Sequence, residues 1–156
     1  MNEPNVSDNR SLDEAMPLMR RHEGLWRGTY RHIDEQGNHL ETHQAQVECL
    51  FPEDGAYAYI QNNLFTWDDG REYRATLKGE FRNGKLWWDN DKFNGCGWET
   101  DFGLFLLNLD RKDDPGANFF EMICMGDDPT RRARTWHWFK DGKLFKRTLC
   151  DEVKVS

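Results

Sequence analysis

The sequence predicts an all-β protein, an up-and-down antiparallel barrel of about eight to ten strands behind one short N-terminal helix. Three observations lead there. After residue 24, short segments rich in aromatic and β-branched residues alternate with turn clusters at intervals of roughly ten to fifteen residues. Asn83-Gly84 and Asp141-Gly142 are hairpin signals, since a two-residue type I′ turn needs φ > 0 at both central positions, which Asn, Asp and Gly tolerate best. No connection leaves room for a crossover helix, so consecutive strands pair antiparallel, and closing them into a barrel removes the exposed edges. A sandwich is the structural alternative.

The elements follow in order. Residues 1–10 hold nothing that repays the entropy of ordering and are expected as a disordered tail, with a single domain over 11–156. Ser11-Leu12-Asp13-Glu14 has capping-box spacing, and Leu12, Met16 and Met19 recur at helical intervals. Pro17 lacks an N–H, which limits this to one short helix, irregular near Pro17. Strands are expected near 25–33, 40–51, 56–67, 71–81, 85–92, 98–109, 118–125, 132–140 and 143–154, separated by turns such as DEQGN (34–38), DDG (68–70) and RKDDPGA (111–117). Along 71–81, Tyr73, Ala75, Leu77, Gly79 and Phe81 share one face, and Arg74, Thr76, Lys78 and Glu80 share the other. Gly95-Cys96-Gly97 reads either as a flexible flap over the barrel mouth or as a plain glycine-rich connection.

Composition narrows the function. The 156 residues are about one domain's worth, and 7 Trp, 10 Phe and 4 Tyr concentrate the apolar content in rings. Lys and Arg number 21 against 28 Asp and Glu, a net charge of −7, which argues against nucleic acid and anionic membranes as partners. No run approaches the roughly 20 apolar residues of a membrane helix, and the polar start MNEPNVSDNR is no signal peptide, so the expectation is a cytoplasmic protein without membrane insertion. Cys49, Cys96, Cys124 and Cys150 lack metal or disulfide spacing and read as reduced small hydrophobes. Phosphate-binding glycine loops, H-E-x-x-H and G-x-S-x-G are missing, which removes most support for nucleotide hydrolysis, dinucleotide redox chemistry and serine hydrolysis.

Gly24-Leu25-Trp26-Arg27-Gly28-Thr29-Tyr30, directly after the helix, resembles the G-x-W signature of the lipocalin and calycin superfamily. Together with the turn at Asp34–Gly37, Arg134-Thr135-Trp136, Asp141-Gly142-Lys143-Leu144 and Asp151-Glu152-Val153, it resembles a bacterial lipocalin-like group of uncharacterised function that is similar to the phycobiliprotein lyases. The resemblance implies a barrel wide enough for an apolar ligand, with Trp26 closing the floor and a basic residue of the last strand, Arg147 or Lys146, packed over it. Some ten-stranded calycins carry haem on one histidine near the C-terminal end. His137 stands roughly there, although its strand neighbours turn it away from the tryptophans.

The candidate site residues come from strand alternation. Trp26, Tyr30 and His32 share a face of the first strand, and Tyr57, Tyr59, Gln61, Asn63, Phe65 and Trp67 share a face of the third. Trp87 and Trp88 are adjacent, so one enters the barrel and the other stays outside; Trp98 completes that ring cluster. Asp89-Asn90-Asp91 lacks the ligand count and glycine placement of a calcium loop, and no metal is expected. Trp136 and Trp138 continue into Arg132 and Arg134, which either line the cavity beside the rings or sit outside at the rim. The reading is a barrel that binds a hydrophobic, aromatic or polycyclic small molecule without a cofactor, with a homodimer left open. One alternative is a cofactor-independent lyase, isomerase or cyclase using Tyr30, His32, Tyr57 or Tyr59 as acid or base; another is a haem-binding barrel.

Overall fold

The computed structural model describes residues 7–156, so the expected tail lies largely outside the described residues. Ten antiparallel strands close on themselves in chain order, β10 pairing back to β1. They are β1 (Gly24–Asp34), β2 (His39–Leu50), β3 (Tyr59–Thr66), β4 (Glu72–Arg82), β5 (Lys85–Asp89), β6 (Phe93–Glu99), β7 (Phe105–Arg111), β8 (Ala117–Met125), β9 (Arg131–Lys140) and β10 (Lys143–Lys154). Helix α1 (Leu12–Ala15) is a single turn held by the expected capping box, and Pro17 separates it from a 3-10 turn at Met19–His22. No helix among the described residues is long and apolar enough to cross a membrane.

Local chemistry explains the hairpins. Asn83 and Asp141 sit at φ 52° and 49° with Gly84 and Gly142 at 76° and 78°, the left-handed pair that a type I′ turn demands. Two expectations need correction. The segment 98–109 is two strands: Thr100 accepts from Gly103 and donates to Leu104, turning the chain between β6 and β7. Gly95-Cys96-Gly97 is no flap but the middle of β6, paired with Leu109, Asn108 and Leu107. Small residues are required there, because a Cβ on Gly97 would lie 2.6 Å from the Phe105 ring.

The barrel has a closed and an open end. Met16, Met19 and Trp26 are buried beneath the lumen, and the Trp26 indole N–H donates to the His22 carbonyl at 2.9 Å, fastening the 3-10 turn to β1. The Glu99 carboxylate accepts the Leu18 N–H at 3.1 Å and pins the N-terminal segment across this end. Burying such side chains contributes about 1.5–3 kcal/mol each. The basic residues over the Trp26 ring are Arg132 of β9 at 4.4 Å and Lys154 of β10 at 5.5 Å, rather than Arg147 or Lys146. Arg147 reaches the Asp34 carbonyl, and Lys146 lies over Trp138 at the opposite end.

Candidate functional site

Inward alternation leaves a cavity of about 360 Å³ inside the barrel, walled by Tyr30, Phe65, Trp88, Phe119, Trp136 and Trp138 among others. That is near the lower end of the roughly 300–1,000 Å³ typical of small-molecule pockets. Leu107, Leu109 and Ile123 supply the aliphatic wall. On β3, Tyr59, Gln61 and Asn63 form a polar stripe: the Tyr59 hydroxyl donates to Gln61 at 2.8 Å and the Gln61 amide donates to Asn63 at 2.9 Å.

Beneath the rings lies a buried charge network. Arg134 donates to Glu121 at 2.9 Å, to the Tyr30 hydroxyl at 2.9 Å and to Glu152 at 3.4 Å. Arg132 donates to the same Glu152 oxygen at 2.8 Å and to His22 Nδ1 at 3.2 Å. Each guanidinium also lies over an indole, Arg132 on Trp26 and Arg134 on Trp136 at 4.5 Å. The rim alternative for Arg132 and Arg134 is therefore overturned, since both are 5% exposed. Two carboxylates facing two guanidiniums make this layer neutral as a set, the condition under which buried charge is tolerated. Burial pushes Glu121 up despite Arg134, whereas for Glu152 the two arginines outweigh burial and hold its carboxyl low. Burial and then the Arg132 charge press His22 down to about 3, which matches its role as an acceptor from Arg132. Burial raises the Tyr30 hydroxyl well above its ordinary value, so it stays protonated.

Nearer the open end, a second buried polar cluster is uncharged. His32 Nε2 meets His43 Nε2 at 2.9 Å, His32 Nδ1 meets the Thr148 hydroxyl at 2.7 Å, and the Trp138 indole N–H donates to that hydroxyl at 2.8 Å. His43 Nδ1 faces the Gln44 carbonyl at 3.2 Å and must carry a proton there. That fixes the chain: His43 Nε2 accepts, His32 Nε2 donates, and His32 Nδ1 accepts from Thr148. Burial, then Lys146, lowers His32 to about 4, and burial lowers His43 as well.

Of the residues singled out from sequence, Tyr30, His32, Tyr59, Asn63, Phe65, Trp88, Arg134, Trp136 and Trp138 meet around this one cavity. Trp26 lies below it as a structural plug. Tyr57 is excluded because β3 begins only at Tyr59; its ring sits outside under the Lys78 ammonium at 5.4 Å. Trp87 is the outer member of its pair, donating to the Arg82 carbonyl at 3.0 Å under the Arg82 guanidinium. Trp98 also faces outward, because Gly97 takes the inward position; it packs against Phe120 and Lys85. His137 is exposed and stacks on Phe139 outside the barrel, away from the cavity. Sequence reasoning missed His22, His43, Glu121 and Thr148, and met Glu152 only as part of a motif. For Glu121 a signal existed: it interrupts the apolar inward face Phe119, Ile123 of β8, one strand from two inward arginines.

No family model matches the sequence, and no curated protein matches it. Solved structures do. An S-type phycobiliprotein lyase from Guillardia theta superposes with TM-score 0.73 at 15% identity, covering 100% of this chain and 99% of that one. A protein of unknown function of the DUF3598 family from Nostoc punctiforme superposes with TM-score 0.69 at 17% identity, over 88% of this chain. This chain spans about half of that protein, 49% of its length. At such identities the likeness is one of fold: the chain is a lipocalin-like barrel resembling that of a phycobiliprotein lyase.

Proposed function

We propose that the barrel binds a compact aromatic small molecule, rings among the lumen tryptophans and a neutral oxygen turned toward the floor. The observation that carries this is the state of Arg132. Its Nη2 is buried without a hydrogen-bond partner among the described residues, in a layer whose formal charge is already balanced. An orphan donor of that kind costs about 1–3 kcal/mol, and Glu152 Oε2 in the same layer is an orphan acceptor, so a neutral phenol, which both accepts and donates, would serve both once the floor side chains shift to admit it. A carboxylate ligand would instead meet Glu121 and Glu152 at close range. The Tyr59, Gln61 and Asn63 stripe supplies the lateral polar contacts that orient a flat ring. Native mass spectrometry of protein purified from its own host tests the reading: a single bound aromatic compound per chain supports it, and a bound saturated lipid contradicts it.

A second reading, conversion of that molecule without a cofactor, is favoured by the His32–His43 chain. Both imidazoles border the cavity and are neutral at pH 7, so His32 can exchange a proton with Thr148 on one side and His43 on the other. Tyr30 and Tyr59, protonated and held by Arg134 and Gln61, are the donors available to a developing oxyanion. With the bound compound as substrate, a loss of turnover of a hundredfold or more in Tyr30→Phe with binding retained supports catalysis. Unchanged turnover in Tyr30→Phe, Tyr59→Phe and His32→Phe removes it.

A further inference from the structure

The wall of the barrel is incomplete on one side. Strands β4 and β5 pair only at Glu80 with Trp87, Phe81 with Leu86 and Arg82 with Lys85, so β4 above Glu80 has no register partner in β5. The cavity reaches this gap, because it is bordered both by inward residues of β4, Tyr73 and Ala75, and by outward ones, Arg74 and Thr76. Residues of both alternation classes border the cavity along this stretch because its backbone edge is left unpaired. Across the gap stands the β5–β6 turn with Asn90, Asp91 and Lys92.

The lips of this window carry cations with little compensation. Arg74 is 73% exposed, and its one acidic neighbour within reach, Glu72, lies at 4.0 Å. The Lys92 ammonium donates to the Tyr73 hydroxyl and lies over the same ring at 4.7 Å, a neutral partner that leaves its charge intact; Asp91 beside it and Asp113 are the opposing charges that act on it. Lower down, the Trp88 indole lies against Gly79, 3.3 Å from where a Cβ would be, and closes that end of the gap. Of the five cations along the lining, Arg132 and Arg134 are met by Glu121 and Glu152, whereas Arg74, Lys92 and Lys146 share the lining with one carboxylate, Asp91, and feel Asp113 and Glu41 from outside it. The balanced floor accounts for two of the five cations, and those at the open side are left to act outward.

Building on the small-molecule reading, we propose that this lateral window is the way into the cavity, and that Arg74 and Lys92 form an outer subsite for an anionic group. The ligand class is thereby narrowed to a flat aromatic body with a neutral oxygen at one end and a carboxylate or sulfonate-like group at the other. Lys92 exchanges the Tyr73 hydroxyl for the anion as the molecule enters.

Two dyes with the same rings test this on the intact protein: 8-anilinonaphthalene-1-sulfonate, which is anionic, and N-phenyl-1-naphthylamine, which is not. In Arg74→Gln/Lys92→Met the sulfonate dye is expected to bind roughly tenfold more weakly while the uncharged dye changes less than about twofold. Equal losses for both dyes, or a sulfonate affinity untouched by the double variant, would overturn the subsite. A wild-type protein that binds neither dye would strike instead at the small-molecule reading itself. A Thr76→Trp variant checks the route: slower association of the uncharged dye supports lateral access, and an unchanged rate contradicts it.

Discussion

The two ends of the cavity solve the problem of polar groups in an aromatic barrel in opposite ways. At the floor, Arg132, Arg134, Glu121 and Glu152 are buried as ions and neutralise one another, each side chain held by at least one hydrogen bond of 2.8–2.9 Å. At the open end, His32, His43 and Thr148 are buried uncharged, while the cations Arg74 and Lys92 remain at the surface. The floor is sealed by the helix and the 3-10 turn, and the upper part of β4 is unpaired on one side. The difference teaches that charge burial and strand pairing change together along the barrel axis. Paired, buried charge is placed where the wall is complete, and exposed cations stand where it is not.

Breaking the floor should have the largest effect. Arg134→Met leaves Glu121 and Glu152 without a shared cation, and urea unfolding is expected to show a loss of about 3–5 kcal/mol. Adding Glu121→Leu should recover part of it, because the stranded carboxylate is then gone. A loss below about 1 kcal/mol would mean that the floor ions are hydrated and the contrast between the ends is false.

Acid comes next, and it separates the two ends by pH. His22 at the floor and His32 near the mouth have lowered folded values, about 3 and about 4 against an ordinary 6.5. The unfolded chain therefore binds more protons below pH 6.5, and stability falls as pH drops through that value. The decline from His32 should level off near pH 4 and that from His22 near pH 3. His32→Phe should flatten the upper part of the curve measured by thermal melting; a curve identical to wild type would refute the buried neutral relay.

Smaller effects sharpen the comparison. Tyr30→Phe removes one acceptor from Arg134, and a loss of about 1–2 kcal/mol is expected in the same unfolding assay. Lys146→Met at the open end should change stability by less than about 1 kcal/mol, since it removes only a half-buried cation from the Trp138 ring. If Lys146 proved as costly as Tyr30, the mouth would be as tightly built as the floor.

The barrel was legible because its signals are local. Asn83-Gly84 and Asp141-Gly142 encode their turns in two residues, and the alternation along β1 and β4 assigns faces without any tertiary knowledge. The split of 98–109 was hidden because Thr100 makes its turn through hydrogen bonds to Gly103 and Leu104, with no Asn-Gly or Pro to announce it. The lumen aromatics were found by alternation, and Tyr57 was misplaced by the same rule applied two residues before the strand begins. The charge network was out of reach for a different reason. Glu121, Arg132, Arg134 and Glu152 lie on three strands, and whether a charged residue at an inward position is buried depends on a partner that only the closed barrel supplies. The His32–His43 contact across β1 and β2 is of the same kind.

The central claim is that an aromatic molecule occupies the lumen. Fluorescence titration of N-phenyl-1-naphthylamine into the wild-type protein and into Ala75→Trp, whose indole would fill the cavity beside the window, tests it most directly. The account predicts saturable binding of one dye per chain, weakened tenfold or more in the variant while the thermal melting of the barrel is retained. Binding that is absent, or equally strong in both proteins and therefore on the outer surface, would contradict it.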